Sequence, residues 1–534
     1  MPVRTVLMVV IVTCLLLAPG FTQSLEDLGS HGEYYLKFCI RQRSELERLT
    51  RLISIDNFRN DTIFAYVHAT EMDELRDMGY ELLLLVHPGK RIVPRMSDAK
   101  GAMNWDSYPT YDAYVAMMQQ FADDYPDLCR IDSIGSSEQG RALLFAKISD
   151  NVATDEAEPE FMYSSTMHGD EVVGYVLMLR LIDYLLSNYG IDEQVTRLVD
   201  SVEIWINPLA NPDGTYRTGN QTVSGATRDN ANGINLNRDF PDPQDGDYPA
   251  GAWQAETIAM MDFATRHHFV MAANFHCGAE VVNYPWDCWE RLHADNDWYY
   301  TISRQYADTA HVYGKAGYMT NPYDDGVTNG YAWYDIYGGR QDYMNYFQHC
   351  RETTIEISNK KVLETWLLPE YWEYNRRSFL NYIGNVLEGI YGKVSDLSGN
   401  PVKAKISIVG HDFDNSEVFS GAELGDFYRM VLPGTYTLKI EAEGFISEIA
   451  ENIIVLEGER THIDVQLVPV AVVCDRGDVD GDGAINIYDV VKIINFILDK
   501  AVPTETEACA ADWNMDNFID QQDVDGIIEV ILDE

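Results

Sequence analysis

Basic residues are scarce in this chain of 534 residues. It has 39 Lys and Arg against 85 Asp and Glu, which gives a formal net charge of −46. Because nucleic acids are bound through clustered cations, this balance argues against a nucleic-acid partner and favours the attraction of cations. The chain also lacks paired CxxC motifs, so a zinc cluster built from cysteines is not indicated.

Long apolar runs are absent after the amino terminus. Residues 1–23 combine Arg4, an apolar run from Val6 to Leu17 and then small or polar residues. This order is typical of a secretory signal peptide, and the run is short for a membrane span. A retained membrane anchor is the alternative for this segment. We therefore expect a secreted, extracellular chain without a membrane span once the signal is removed.

Changes of pattern divide the remaining chain into four segments. Residues 24–98 contain IFAYV, ATEMDELRDMG and YELLLLV, which predict strand, helix and strand in a small α/β domain. Residues 104–387 alternate strand-like runs such as SVEIWIN with helical patterns such as YVLMLRLIDYLLSNYG, which favours a sheet flanked by helices. Residues 389–469 show short alternating strands between turns, which predicts a β-sandwich. Residues 474–534 contain an internal duplication.

Each copy of the duplication has a cysteine, then acidic residues at alternate positions, then an apolar helix. Oxygen ligands occupy loop positions 1, 3, 5, 9 and 12: Asp478, Asp480, Asp482, Asn486 and Asp489, and then Asp512, Asn514, Asp516, Asp520 and Asp523. Because so many carboxylates repel one another without a hard cation, the pattern predicts two Ca²⁺ ions. A plain acidic tail is the alternative, disfavoured because apolar helices follow both loops.

These loops have no clear helix before them and Asp rather than Glu at position 12, and Asn517 replaces the usual glycine. The segment therefore resembles a dockerin more than an EF-hand. This resemblance implies a cohesin-type partner on a scaffold or cell surface. Cys474 and Cys509 precede the two loops similarly, but spacing alone does not establish a bridge between them.

The stretch TMHGDEVVG places His168 and Glu171 three positions apart before an apolar helix, which a salt-bridged helix start also explains. Further motifs follow in order: NPLANPDG, TRDNANGINLNRDFPD, NFHCGAEVVNYPWD, GVTNGYAWYDIYGGRQDYMNY and TTIEIS. Together they resemble the zinc carboxypeptidase family, in the branch of carboxypeptidases N, E and D. The resemblance covers residues 104–387 and implies an α/β/α domain with a mixed central sheet. It also implies one zinc ion and hydrolysis at the C-termini of peptides or proteins.

The resemblance assigns His168, Glu171 and His276 as the zinc ligands, leaving a fourth position open for water. It assigns Glu356 as the general base and acid, which takes a proton from water and delivers it to the leaving amine. The alternatives are a core histidine for His276 and an exposed edge-strand residue for Glu356.

Substrate-binding residues follow from the same resemblance. Arg228 would stabilise negative charge on the carbonyl oxygen. Asn237 and Arg238 would bind the terminal carboxylate, and Tyr334 would close over the bound end. A site of this kind makes the enzyme an exopeptidase.

Asp287 and Gln341 match residues that contact the basic side chain in the lysine- and arginine-specific branch. We therefore expect a preference for C-terminal Arg or Lys, although Asp287 could instead be a solvated loop residue. Three positions depart from the family pattern. Asn235 replaces an aspartate that orients a zinc-binding histidine, Cys277 replaces a common glycine, and Arg340 lies where it could oppose a basic side chain.

Two accessory segments resemble known modules. Residues 24–98 occupy the place of a propeptide, as a foldase or a plug, and cleavage near Lys90–Arg91 or Arg95 would release it. A permanent accessory domain fits equally well. Residues 389–469 resemble a transthyretin-like regulatory domain. Two other functions stay open: an inactive carboxypeptidase-like binding protein, and a peptidase acting on peptidoglycan stem peptides.

Overall fold

The structure is a computed structural model that describes residues 29, 31–246, 252–320, 323–470, 474–516 and 518–533. The predicted signal peptide and Asn517 lie outside the described residues. The chain forms two compact units. The first contains residues through Val394, Pro401–Ile440 and Ile449–Val465, and the second contains Ser395–Asn400, Glu441–Glu448 and the residues from Gln466 onward.

The N-terminal segment forms a four-stranded antiparallel sheet with two helices. Its elements are β1 (Glu33–Cys39), α1 (Leu46–Leu52), β2 (Ser54–Arg59), β3 (Thr62–His68), α2 (Ala69–Asp77) and β4 (Leu83–Leu85). The strand order is β2-β3-β1-β4, with antiparallel pairing throughout. The predicted strand, helix and strand correspond to β3, α2 and β4, whereas β1, β2 and α1 were not predicted.

The following segment contains an eight-stranded sheet. Its strands are β7 (Cys129–Ser136), β8 (Ala142–Ile148), β9 (Glu160–Ser165), β10 (Glu203–Asn207), β11 (Phe269–His276), β12 (Glu280–Tyr284), β13 (Val327–Asn329) and β14 (Arg351–Ile357), preceded by β5 (Met96–Ser97) and β6 (Tyr108–Pro109), which pair in parallel. The order is β13-β12-β14-β11-β9-β10-β8-β7. Strands β10, β9, β11 and β14 run parallel, whereas β8 and β12 pair antiparallel with this block. The predicted mixed sheet is therefore confirmed.

Helices cover both faces of this sheet: α3 (Ala99–Ala102), α4 (Tyr111–Asp124), α5 (Val173–Asn188), α6 (Glu193–Val199), α7 (Pro212–Thr215), α8 (Ala255–Arg266), α9 (Asn296–Tyr313), α10 (Gly330–Trp333), α11 (Arg340–Phe347) and α12 (Leu368–Gly384). Successive side chains of a strand point to opposite faces. On β10, Ile204 and Ile206 join the apolar cluster formed with α4, α5, α9 and α12, whereas Trp205 joins the cluster formed with α8 and α11. The result is the predicted α/β/α layering.

The segment after residue 388 is built from short strands. They are β15 (Gly389–Asp396), β16 (Lys405–Ile408), β17 (Val418–Phe419), β18 (Asp426–Arg429), β19 (Gly434–Glu441), β20 (Phe445–Ile446), β21 (Glu448–Val455), β22 (Arg460–His462) and β23 (Val465–Pro469). In the first unit, β15 pairs with β18 and β22, and a second sheet has the order β17-β16-β19-β21. Two sheets of short strands agree with the predicted β-sandwich.

The second unit ends in three helices, α13 (Ile487–Ile497), α14 (Glu505–Ala511) and α15 (Gln521–Asp533). A disulfide joins Cys474 to Cys509. Among the described residues, none of the helices is long and apolar enough to cross a membrane.

The expectation that no helix precedes the calcium loops is wrong for the second loop, because α14 leads directly into Asp512. A capping box starts this helix. The Thr504 hydroxyl accepts the Glu507 N–H at 3.3 Å, and the Glu507 carboxylate accepts the Thr504 N–H at 2.7 Å. The T-x-x-E pattern is the sequence signal for this start, and it was overlooked.

A buried ion network joins the β-sandwich strands to the large sheet within the first unit. Arg429 of β18 donates to both Asp295 oxygens at 2.8 and 3.0 Å, and Arg351 at the start of β14 donates to Asp295 at 2.9 Å. Burial would raise the pKa of Asp295, but the two guanidinium groups hold it well below its ordinary value. Asp295 therefore stays ionised in the core.

Arg429→Met should destabilise the first unit by about 3 kcal/mol, because it removes one partner of a buried ion network. The exposed Arg266, whose side chain is 60% accessible and lies 3.4 Å from Asp262, is the matched control, and Arg266→Met should cost less than about 1 kcal/mol. Since the folded pKa of Asp295 is depressed, its contribution is present above the ordinary aspartate pKa and is lost as pH falls below it. Denaturant unfolding at several pH values measures the free energy of unfolding of each variant. Equal effects of the two substitutions would contradict the prediction.

Candidate active site

The large sheet brings four of the predicted residues to one edge. His276 ends β11 and is paired in register with Glu356 on the parallel strand β14. Both side chains therefore project from the same face of the sheet. His168 and Glu171 follow the end of β9, which is the other neighbour of β11. Because the carboxyl ends of parallel strands meet at one edge of a sheet, these residues converge there.

The three predicted zinc ligands form one buried cluster, with donor atoms that all lie within 4.8 Å of one another. His168 Nδ1 lies 2.9 Å from Glu171 Oε1, and His276 Nδ1 lies 2.9 Å from Glu171 Oε2. The two imidazole Nδ1 atoms are 3.0 Å apart. Two nitrogens and a carboxylate therefore point at a common centre.

The hydrogen bonds of Asn235 fix the tautomer of His168. Asn235 Oδ1 accepts the backbone N–H of Asn237 at 2.9 Å, so this atom is the amide oxygen. The His168 Nε2 atom lies 3.0 Å from it and must carry the proton. Burial, followed by the charge of Arg228, lowers the pKa of His168 well below its ordinary value, so the ring is neutral.

His168 Nδ1 therefore presents a lone pair to the Glu171 carboxylate, an arrangement that is repulsive unless a cation lies between them. Zn²⁺ takes imidazole nitrogen and carboxylate oxygen as ligands, and catalytic sites leave a fourth position open. The residues fit zinc, and Asn235 takes the orienting place that an aspartate has in the family pattern.

Two cations approach the same carboxylate. Arg228 Nη1 donates to Glu171 Oε1 at 2.8 Å, and Lys361 Nζ donates to the same oxygen at 2.6 Å. The backbone N–H of Cys277 donates to Glu171 Oε2 at 2.9 Å. Lys361 was not predicted as a site residue. Its position five residues after Glu356 was the one hint in the sequence that it lies near the site.

Glu356 has the properties of a general base. Its Oε2 atom is buried and has no hydrogen-bond partner among the described residues. Burial, together with the nearby Glu171 carboxylate, raises the pKa of Glu356 to about 8. A carboxylate of raised pKa binds a proton more strongly than a solvated one, as transfer from water requires.

The residues predicted to bind the terminal carboxylate also lie close together. Asn237 and Arg238 share the short turn Leu236–Arg238, and Arg238 Nη1 donates to the Asn237 carbonyl at 2.8 Å. Burial raises the pKa of the Tyr334 hydroxyl to about 12, and the charge of Arg238 opposes this rise.

Asp287 is buried rather than solvated, with 2% of its surface exposed. Its Oδ1 atom accepts from Gln341 Nε2 and from Asn283 Nδ2, each at 3.1 Å. The amide oxygens of Gln341 and Asn283 are themselves buried without a hydrogen-bond partner in the described part of the chain. Burial raises the pKa of Asp287 to about 6. This cluster of acceptors would be satisfied by a cationic donor group.

Two further residues shape this pocket, and neither was predicted. The Asp342 carboxylate accepts the backbone N–H of Asp287 at 3.0 Å and that of Cys288 at 2.8 Å, which fixes the chain that carries Asp287. Gly330 packs directly against Asp287, because a Cβ at this position would lie 1.7 Å from Asp287 Oδ1. The absence of a side chain at position 330 therefore leaves room for the carboxylate.

Arg340, the third departure from the family pattern, is paired within the core. It is fully buried and donates through Nε and Nη2 to Glu352 at 3.0 and 2.8 Å, and through Nη1 to Ser164 at 2.7 Å. Its charge is therefore neutralised within the core by Glu352.

Strand β2 of the N-terminal sheet covers the site. Ser54 Oγ accepts from Arg228 Nε at 2.8 Å, and the Ile55 carbonyl accepts from the Tyr334 hydroxyl at 3.4 Å. The Asp56 carboxylate contacts Lys361 Nζ at 2.5 Å and Arg228 Nη1 at 3.4 Å. Ser54 Oγ also accepts from Asn235 Nδ2 at 2.6 Å, so this strand contacts four residues of the site.

The two predicted calcium loops of the second unit share one internal pattern. Asp489 at position 12 is buried and accepts the N–H groups of Asp480 and Asn486, each at 2.9 Å. Asp523 is equally buried and accepts those of Asn514 at 3.2 Å and Asp520 at 2.9 Å. Oxygens of three first-loop residues lie within 4.8 Å of one another: Asp478, Asp480 and Asp489.

Asn235→Ala should weaken zinc binding about 10- to 100-fold, because the substitution removes the acceptor that fixes the His168 tautomer. Titration with a competing chelator, followed by metal analysis, measures this affinity without reference to activity. Asn232→Ala is the matched control, since Asn232 is exposed and its side-chain amide donates to Gln254 rather than to a site residue. Unchanged affinity in the Asn235 variant would show that another group orients the ring.

Two family models match the chain: zinc carboxypeptidase over residues 114–378 and dockerin type I domain over residues 476–532. Carboxypeptidase D of Rattus norvegicus is 36% identical over 66% of this chain and 26% of its own length. The chain thus spans about a quarter of the carboxypeptidase D relatives it matches. Carboxypeptidase M of Mus musculus is 34% identical over 64% of this chain and 80% of its own length.

Solved structures show the same fold. Carboxypeptidase A from Helicoverpa armigera aligns with a TM-score of 0.52 at 16% identity, over 66% of this chain and 97% of that chain. Thrombin-activatable fibrinolysis inhibitor aligns with a TM-score of 0.51 at 16% identity, over 66% of this chain and 99% of that chain. At this identity the likeness concerns the fold alone. The curated relatives and the match to the zinc carboxypeptidase model show that this chain belongs to the zinc carboxypeptidase family.

Proposed function

We propose that the chain is a secreted zinc metallocarboxypeptidase that hydrolyses the C-terminal residue of peptides or proteins, with a preference for Arg or Lys. The buried cluster of His168, Glu171 and His276 beside Glu356 gives this proposal its main support. An inactive binding protein has no need of a poised carboxylate at the position of Glu356. The carboxypeptidase activity fits the whole arrangement better than binding alone.

The chain's own residues divide the reaction among them. Zinc, when bound, supplies a Lewis acid that acidifies water and polarises a carbonyl group. Glu356 takes the proton of the attacking water at its carboxylate and passes it to the amine of the leaving residue. Arg228 stabilises the negative charge that develops on the carbonyl oxygen. Asn237 and Arg238 hold the terminal carboxylate, which restricts cleavage to the last peptide bond.

The pocket around Asp287 supports the preference for basic residues. A guanidinium or ammonium group entering it would meet one carboxylate and the amide oxygens of Gln341 and Asn283. An apolar side chain would leave the two amide oxygens buried without donors, which costs free energy. The net charge of −46 would also attract cationic substrates.

We further propose that residues 24–98 hold the enzyme inactive until they are cut away. Asp56 engages Lys361 and Arg228, and Ser54 and Ile55 engage further residues of the site. A substrate carbonyl or carboxylate cannot reach these cations while β2 lies over them. This arrangement favours a plug over a permanent accessory domain.

The second unit is proposed to bind two Ca²⁺ ions and to dock onto a cohesin-type domain of an extracellular scaffold. The match to a dockerin type I domain and the repeated loop geometry support this. Helix α13 exposes a stripe of large apolar side chains, with Ile487, Tyr488 and Val491 each at least half exposed. Exposed apolar stripes of this kind are typical of protein-binding faces.

Hydrolysis of matched peptides ending in Arg, Lys, Phe or Glu tests the proposed activity. We expect release of Arg and Lys after residues 24–98 are removed, little release before, and none with a zinc chelator. Glu356→Gln should lower kcat at least about 100-fold. Asp287→Ala should lower kcat/KM about 100-fold for Arg and Lys peptides only, because it removes the buried partner of the cation.

Asp325→Asn, at an exposed position of the same segment, is the matched control and should leave every rate unchanged. Release of Phe instead of Arg would keep the mechanism and refute the specificity. No release from any peptide by the processed, zinc-loaded protein would favour the binding-protein or cell-wall alternatives.

Calcium titration of the full chain by calorimetry tests the second unit, and we expect two bound ions. Asp489→Asn and Asp523→Asn should each abolish one of them, because each removes the buried carboxylate that organises its loop. Asp525→Asn, on the exposed face of α15, is the control and should leave two. Two ions bound in all three variants would argue against these ligand sets.

A further inference from the structure

The start of α11 touches both parts of the proposed substrate-binding pocket. The backbone N–H of Arg340 donates to the Asn237 amide oxygen at 3.0 Å. One residue later, Gln341 donates to the Asp287 carboxylate at 3.1 Å. A Cβ on Gly339, just before the helix, would lie 3.6 Å from Asn237 Oδ1 and 3.8 Å from Asp287 Oδ2. The group proposed to bind the terminal carboxylate and the group proposed to bind the basic side chain therefore meet at one helix start.

The contact with Arg340 also fixes the orientation of the Asn237 amide. A backbone N–H can only donate, so the atom that accepts it must be the amide oxygen. The NH₂ group of Asn237 is then the end that is left to donate to a substrate carboxylate. If this helix start moved away, the amide would lose the contact that sets its orientation.

The Arg340 side chain ties this helix start to the large sheet. Its Nε and Nη2 atoms donate to Glu352 on β14 at 3.0 and 2.8 Å, and its Nη1 atom donates to Ser164 on β9 at 2.7 Å. Glu352 also accepts from Asn274 on β11 at 2.8 Å. None of these four side chains is more than 2% exposed. A guanidinium paired in this way fixes both the distance and the orientation of the groups that it joins.

The strands held by this contact also carry catalytic groups. Glu352 lies four residues before Glu356 on β14, and Asn274 lies two residues before His276 on β11. Side chains an even number of positions apart on a strand point to the same face. The Arg340 contact and the catalytic groups therefore lie on one face of the sheet, on the same two strands.

We infer that Arg340 is a positioning residue, which sets the place of the bound chain end relative to Glu356 and the zinc ligands. This role rests on the proposed carboxypeptidase function. A shift of α11 would move the contacts to Asn237 and to Asp287 together, so the terminal carboxylate and the basic side chain would both be bound less tightly. A displacement of about 1 Å can also lower the rate of the chemical step about 100-fold.

Two variants test this role in the zinc-loaded protein, processed as in the hydrolysis test above. Arg340→Lys keeps a charge opposite Glu352 but cannot form the planar two-atom contact. The double substitution Arg340→Met with Glu352→Gln leaves no buried charge unpaired, which protects the fold. In both, the KM for an Arg-ended peptide and the inhibition constant of free arginine should rise together, by about 10- to 100-fold. Zinc affinity, measured by chelator competition, should stay unchanged.

Lys147→Met is the matched control, because Lys147 is a buried cation that pairs with the buried Glu203 at 2.7 Å. Lys147 lies on β8, which is separated from β9 by β10. The substitution should lower the stability of the protein and leave both constants unchanged. Calorimetric titration with free arginine, at a temperature where each variant is folded, measures binding without catalysis.

The wild-type rate on the same peptide separates the possible failures. If the wild-type protein cleaves the peptide and the Arg340 variants bind free arginine as tightly as it does, the positioning role is refuted and the proposed activity stands. An equal loss of arginine binding in Lys147→Met would also refute the role, since the effect would then follow stability alone. No cleavage by the wild-type protein would overturn the proposed activity and the positioning role with it.

Discussion

The Glu171 carboxylate is the point on which the catalytic edge depends. It is 1% exposed, yet burial does not neutralise it, because the charge of Lys361 holds its pKa well below the ordinary value. One oxygen faces His168 and accepts from both Arg228 and Lys361, and the other faces His276 and accepts a backbone N–H. A buried carboxylate without these partners would cost several kcal/mol. The ligands, the cations and the strand ends are therefore fixed together.

Strand β2 places a carboxylate against the two cations that contact Glu171. Arg228 and Lys361 are both buried and both contact Glu171, so a second anion is needed to balance them. Asp56 supplies it. When β2 leaves, the site keeps two cations beside one carboxylate, which suits the developing negative charge on a substrate oxygen. The inhibition and the catalysis that we propose would therefore both depend on the charges of Arg228 and Lys361.

The site residues that could be predicted are those that lie in motifs of the family pattern, and some of these also carry a local signal. His168 and Glu171 share one turn, and Glu356 alternates with apolar neighbours on β14. Asp56 has no such signal, because it reaches the site only through the docking of β2 against a separate sheet. Asn283 and Asp342 act through contacts with Asp287, and these contacts depend on tertiary packing. Strands β1 and β2 were missed because their mixed polar and apolar residues do not alternate cleanly.

The β-sandwich strands are connected to the same site through β14. This strand begins at Arg351, which is held by Asp295 within the network of Arg429, and it carries Glu356 near its end. A strand fixed at one end by buried ion pairs and along its length by β11 and β12 cannot slide without moving every side chain to the opposite face. The register that sets His276 beside Glu356 is therefore supported from outside the catalytic segment. The ion network of Arg429, Asp295 and Arg351 therefore helps to fix the strand that carries Glu356.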